Sequence, residues 1–449
     1  MLTAKRGLLN SRFTNNFLSA FKKIHNNKLA KTMDEQPEYV QASLKKIATE
    51  QGFTEGRYRI ALEPGCNKGD GIMGKLCRAL IREEGREQMV VLVKGLPDSE
   101  LRRQQTMRLY HREVMVYDKL LPALDKFQAE KGTGSGKDDG FFRAPKCYYA
   151  TCNLEKLEAV VIMEDLRESN FRMLNKFEPV DFPHCRLVME QLGKLHAVSF
   201  AMKDQQPELF AQFRTFNDPM KMLLDMDPKR TIDKVFIETH ERASGILTEE
   251  DVEAKEAMER LKGNVTDQYV ACVNAEDAEP YAVIGHGDCW VNNTMFKYDG
   301  KDPTPTDIRL IDWQLCRYVC PILDLSYFLF ISTDEKIRAK HFEQLQDTYY
   351  NSLSEQLARL GGDVKRQYPR DVYQAQWQKY GRFGMLMGFI VVPMMCTASE
   401  DLPDQDEYMR RLETEEHVKY DFGTEANAFE RYRKRMAGII RDVVRLGYL

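Results

Sequence analysis

The chain has 449 residues, 43% of them hydrophobic and 30% charged, with a formal net charge of -4. That length suits two or three ordinary domains or one two-lobed enzyme, and the near-balanced charge gives no electrostatic support for general nucleic-acid binding. The longest apolar run, residues 385–396, is too short to cross a bilayer and contains Pro393, so it reads as a buried helix and no transmembrane segment is expected.

Residues 1–37 form a basic extension with no acid before Asp34. Leu9, Phe13, Phe17, Phe21 and Ile24 recur at helical spacing. Three readings stay open: a mitochondrial transit peptide, a helix lying on a membrane surface, or a disordered extension. The ten cysteines lack a Cys-x-x-Cys pair; Cys147 with Cys152 and Cys316 with Cys320 do not have zinc spacing, so buried reduced thiols are expected. Reduced thiols and the absence of a secretory signal point to the cytoplasm, or to mitochondria if the extension is a transit peptide.

From Glu38 to about Gly52 the pattern predicts a helix covering a sheet. Residues 57–62 alternate as a strand and run into the glycine-rich stretch 63–71. Glycines there let backbone amides approach a phosphate closely. Residues 89–94 form an apolar strand ending in Lys94. The following helical stretch, 109–121, sets Glu113 among apolar residues, where an isolated carboxylate is costly; Lys94 is its candidate partner. Residues 144–150 and 158–163 read as a strand pair. The second runs into Met163-Glu-Asp-Leu166, a suitable hinge at which backbone groups of Glu164 and Leu166 would meet an adenine edge.

The composition then becomes helical, with His196 expected as a satisfied core histidine in the helix 184–202. The most informative stretch is residues 283–296, followed by 309–314: Asp288, then Asn293 five positions later, then Asp312 at the end of an apolar strand. A phosphoryl-transfer site needs that order. One carboxylate faces the acceptor hydroxyl, and an amide oxygen and a second carboxylate hold magnesium, a hard cation that takes oxygen ligands. Residues 299–305 are then a hairpin connection, Pro321 starts a further apolar helix, and Asp324 is placed to brace the catalytic segment by hydrogen bonds. Residues 333–449 show amphipathic helical stripes.

His286-Gly-Asp-Cys-Trp-Val-Asn-Asn293, Ile311-Asp-Trp-Gln314, the 321–329 segment, Met163-Glu-Asp-Leu166 and the 194–200 segment together resemble the ecdysteroid kinase-like family, also described as CHK kinase-like, over roughly residues 38–440. That family stands with the aminoglycoside and choline phosphotransferases in the protein-kinase-like superfamily. The resemblance implies an α+β, bilobal fold: a sheet-rich lobe over 38–165 and a helical lobe over 166–449. It implies ATP and Mg2+ as cofactors and phosphorylation of a hydroxyl on a small molecule, an ecdysteroid in the named case.

By position, Asp288 is similar to the catalytic base, Asn293 and Asp312 to the metal ligands, and Lys94 with Glu113 to the phosphate-anchoring pair. Lys68, Gly69, Asp70 and Gly71 correspond to the nucleotide loop, with Met163, Glu164 and Leu166 at the hinge. Trp313 stands where phenylalanine is usual. Two other functions remain open: a choline- or ethanolamine-type kinase using Tyr349, Tyr350, Tyr373 and Trp377 around a cation, although rings at such spacing more often pack in a core or on the surface, and a nucleotide-binding scaffold without turnover. Neither the acceptor's identity nor the oligomeric state is readable from the sequence.

Overall fold

The computed structural model describes residues 33–65, 74–133, 140–141, 143–226, 231–414 and 421–449. The expected nucleotide loop, Lys68 to Gly71, and nearly all of the basic extension lie outside the described residues, as does most of the glycine-rich segment 132–140.

The N-terminal lobe is a five-stranded antiparallel sheet, in the order β1-β2-β3-β5-β4, built from β1 (Arg59–Pro64), β2 (Lys75–Arg82), β3 (Met89–Gly95), β4 (Cys147–Asn153) and β5 (Glu158–Glu164). Successive side chains of a strand face opposite sides. Val91 and Val93 therefore pack with Val160 and Ile162 against Val40, Leu44 and Ile47 of helix α1 (Glu38–Glu50), while Lys94 turns toward helix α2 (Glu100–Met115) on the other side. Ser99 caps α2 through the amide of Arg102. The helix continues through a π turn, Val116–Leu120, into α3 (Leu121–Glu130).

No strand was expected between residues 71 and 89, yet β2 lies there at the centre of one side of the sheet. Its charged residues, Lys75, Arg78 and Arg82, do not alternate, because Arg78 is directed to acids at the hinge.

The C-terminal lobe is mainly helical. Its principal helices are α4 (Phe182–Gln205), α5 (Pro219–Met226), α6 (Ile322–Ser332), α7 (Glu335–Arg359), α8 (Phe383–Cys396) and α9 (Ala426–Arg445). Two short ladders interrupt them: β6 (Val283–Gly285) pairs with β9 (Arg317–Val319), and β7 (Thr294–Tyr298) with β8 (Pro305–Leu310), both antiparallel. The 299–304 connection is thus the expected hairpin turn. The main core joins α4, α6, α7 and α8 to Leu120, Leu124 and Phe127 from the small lobe, so hydrophobic packing runs continuously across the cleft. Helix α8 contains the 385–396 run and is buried, as expected; among the described residues no helix is long and apolar enough to cross a membrane.

Tyr349, Tyr373 and Trp377 are core residues, packed on one another and on Tyr448, with Tyr350 half-buried beside them, the packing role expected of rings at such spacing. They offer no open aromatic wall for a cation. Among the described residues the cysteines form no disulfide; Cys77, Cys147 and Cys152 are half-buried and the others buried.

Candidate active site

The connection from β6 to β7 carries His286, Gly287 and Asp288. Asp324, in the first turn of α6, accepts the backbone N–H of His286 at 2.6 Å on one carboxylate oxygen and that of Gly287 at 2.9 Å on the other. The bracing role expected for Asp324 is therefore present. Two glycines make the close packing feasible. A Cβ on Gly285 would lie 2.6 Å from Asp324, and one on Gly287, where φ is +86°, would lie 1.8 Å from the Leu315 carbonyl.

The tautomer of His286 follows from its partners. Nε2 donates to the Ile311 carbonyl at 3.1 Å, and Nδ1 accepts the Asp288 amide at 3.3 Å. Burial keeps this ring below the usual histidine range, so it acts as a neutral strut between the loop and the strand that delivers Asp312. His196 bonds Tyr349 at 2.9 Å and Asp324 at 3.4 Å, the satisfied core histidine that was expected.

Both carboxylate oxygens of Asp288 are held by neutral donors. The Tyr327 hydroxyl donates to Oδ1 at 2.6 Å, and the Asn293 amide nitrogen donates to Oδ2 at 2.8 Å. Burial lifts the Asp288 carboxyl to about 7, against the pull of those two bonds. Asn293, turned by its amide nitrogen toward Asp288, leaves its amide oxygen for another partner. Its backbone carbonyl accepts the Ile311 amide at 3.0 Å, which sets Asp312 alongside. Asp312 has φ of +64°, an uncommon conformation for a residue other than glycine that turns the carboxylate out of the strand direction.

Across the cleft, Lys94 Nζ lies 2.6 Å from Glu113 Oε2 and 2.9 Å from Asp312 Oδ1. This single ammonium links the sheet, helix α2 and the large lobe. Burial opposes its charge, but Asp312 and Glu113 together hold it above the ordinary lysine range. Burial raises the Glu113 carboxyl, with Lys94 pulling the other way.

At the hinge, Met163 is buried, with its sulfur 4.0 Å from the Tyr117 hydroxyl. The Glu164 amide donates to the Lys146 carbonyl, so that amide is committed within the sheet. Leu166 packs with Phe171, Met295 and Ile311, an apolar patch running from the hinge to the residue before Asp312. Asp165 is held by Arg78 at 2.7 Å and by Arg167 at 2.7 and 2.9 Å, while Arg167 also donates to the Gly65 carbonyl at 2.8 Å.

The structure thus gathers Asp288, Asn293, Asp312, Lys94 and Glu113, with Met163 and Leu166 behind them. Sequence reasoning missed Tyr327 and the Arg78–Asp165–Arg167 clasp. Tyr327 lies three residues after Asp324, one helical turn along the same face, and that spacing was the available signal.

Among the described residues no cluster of three or more His, Cys, Asp or Glu could hold a metal alone. The donor set of Asn293 and Asp312 nonetheless fits magnesium, which takes a few protein oxygens and completes its shell with phosphate and water.

A stretch of 42 residues is 43% identical to the 4-hydroxytryptamine kinase of Psilocybe cyanescens, spanning 9% of this chain and only 12% of that protein's length. Among solved structures, an ethanolamine kinase from Plasmodium vivax is similar at 11% identity and a TM-score of 0.42, over 92% of this chain and 90% of that one. The GDP complex of aminoglycoside 2'-phosphotransferase-IIIa is similar at 10% identity and a TM-score of 0.39, over 89% and 98%. The model of the ecdysteroid kinase-like family matches residues 68–362, well over half of the sequence, and the chain belongs to that family.

Proposed function

We propose that this protein is an ATP- and Mg2+-dependent kinase of the cytoplasm that phosphorylates a hydroxyl group on an ecdysteroid, steroid-like or xenobiotic-derived alcohol. The observation that carries this reading is the meeting of the two lobes at Lys94, bonded to Glu113 and Asp312, opposite an Asp288 carboxylate oriented on both oxygens. The named acceptor class rests on family membership.

In this reading Asn293 and Asp312 would hold Mg2+, which when bound neutralises negative charge on the phosphate oxygens. The work left to the chain is positioning and electrostatics. Lys94 places a fixed positive charge at the cleft. Asp288 orients the acceptor hydroxyl and accepts its proton, and its elevated pKa near 7 matches that task. Leu166, Met295 and Ile311 supply an apolar floor for a purine. The Asp165 clasp reaches Gly65, the last described residue before the glycine-rich loop, and helps to set where that loop begins.

The test incubates the full chain with ATP, Mg2+ and a panel of hydroxylated steroids, with choline and ethanolamine as competitors, and looks for phosphorylated products by mass spectrometry. Phosphorylation of a steroid-type alcohol, unaffected by the amines, is the expected result. Preferential phosphorylation of the amines overturns the acceptor assignment, and nucleotide binding without any product overturns the enzymatic one.

A further inference from the structure

Arg112, adjacent to Glu113 on α2, faces the large lobe. Its Nη1 donates to the Cys316 carbonyl and its Nη2 to the Asn217 carbonyl at 3.1 Å, and the guanidinium lies 4.7 Å from the centre of the buried Phe216 ring. These partners form one unit. The Tyr318 amide donates to the Phe216 carbonyl at 2.7 Å, which ties residues 216 and 217 to β9, and Leu315, just before Cys316, packs against Gly287 of the Asp288 loop. Arg112 therefore adds a second connection, beside Lys94, between the helix that carries Glu113 and the segment that follows Asp312 and packs on the Asp288 loop.

Glu113 needs such a connection. Oε2 of its carboxylate is bonded to Lys94, the Trp313 backbone amide also favours its charged form, and Oε1 is buried without a further partner among the described residues. Its contact with Lys94 therefore depends on where α2 sits. If α2 swung away from the cleft, both bonds and the stacked cation of Arg112 would be lost together, and charge-assisted bonds of this kind are the stronger ones.

We infer that Arg112 is a positioning residue that locks α2 onto the large lobe and so keeps Glu113 on Lys94 in the free protein, with no added charge or partner needed to assemble the site. This rests on the reading of Lys94 as the nucleotide anchor, and it deepens that reading by making the assembled state constitutive. It also predicts which side chain must be lost to undo that state.

The test measures how fast an amine-reactive reagent labels Lys94 in the full-length, nucleotide-free protein, by mass spectrometry, in wild type, R112M and R112Q. The first variant keeps the apolar stem; the second keeps a planar polar head that cannot reach both carbonyls. The expected result is labelling of Lys94 about tenfold faster in both variants, which stay folded with one cooperative melting transition, with kcat about tenfold lower, acceptor KM unchanged and partial recovery in R112K. Labelling of Lys94 at the wild-type rate in either folded variant overturns the inference. Labelling requires no turnover, so a wild-type protein that phosphorylates nothing would sink the proposed function while leaving the role of Arg112 to be decided by the labelling alone.

Discussion

Lys94 and Asp288 lie on opposite lobes, the first buried and the second half-buried, and their charges are handled differently. Lys94 has two carboxylates within hydrogen-bond reach. Asp288 has a phenol and an amide, both neutral. The first arrangement fixes a charge permanently. The second fixes a geometry while leaving the proton affinity high, because neutral donors only partly offset the cost of burial. An anchor for phosphate needs the former and a base needs the latter. Removing one group from each side, and then the supports behind them, shows whether this contrast is real.

The largest expected effect is on chemistry. Asp288→Asn keeps the size and one accepting oxygen but replaces the other with an NH2 donor and removes the proton acceptor, so kcat should fall about a thousandfold with nucleotide affinity nearly unchanged. Retention of wild-type turnover would remove Asp288 from the role of base.

On the Lys94 side the largest effect is on stability. Lys94→Met leaves the fully buried Glu113 without its counter-charge, which costs about 3–5 kcal/mol in comparable cases. The double variant Lys94→Met with Glu113→Leu should be clearly more stable than Lys94→Met alone, since it removes the stranded charge. Chemical denaturation of the three proteins measures this. Equal stability of the single and double variants would mean that Glu113 is not ionised against Lys94.

Asp324→Asn tests the support beneath Asp288. Burial alone would raise the Asp324 carboxyl, but the hydrogen bond from His196 and nearby positive charge, including Arg317, hold it down at about 2. A carboxyl lowered from an ordinary value near 4 stabilises the fold by about 2 kcal/mol. The sign follows from linkage: the contribution is complete above about pH 4 and is lost as pH falls toward 2. The stability difference between wild type and Asp324→Asn should therefore be constant from neutral pH to about pH 5 and shrink below pH 4. A difference that grew on acidification would contradict the ionised, backbone-capping role.

Much of this contrast was legible from particular residues. The spacing of Asp288, Asn293 and Asp312, the apolar strand ending in Lys94 and the isolated acid at Glu113 each carry a physical demand that a sequence displays: metal needs oxygens, and buried charge needs a partner. Asp324 was legible for the same reason, as an acid beside a turn with backbone amides to satisfy.

What was not legible depended on long-range contacts. Arg78 gives β2 a spacing unlike a strand's because it answers Asp165 and Glu168 across the lobe. Arg112 looks like any surface arginine on a helix until the Cys316 and Asn217 carbonyls appear beneath it. The aromatic residues from 349 onward fill the core, as rings at such spacing more often do, but nothing in the local sequence distinguishes a ring that lines a pocket from one that fills a core.

Tyr327→Phe has the smallest expected effect and distinguishes most finely between the two sides. It deletes one neutral hydrogen bond to Asp288 Oδ1 and leaves the Asn293 bond to Oδ2 in place. A single bond of this type contributes about 1 kcal/mol, which corresponds to about a fivefold drop in kcat, with nucleotide KM unchanged because Lys94 and Asp312 are untouched. If the tyrosine only orients the carboxylate, pairing Tyr327→Phe with Asp288→Asn should add nothing to the loss from Asp288→Asn alone, since no base remains to be oriented. Additive losses would assign the Tyr327 hydroxyl its own contact with the acceptor, and Asp288 would then share its task with a neighbour one helical turn beyond Asp324.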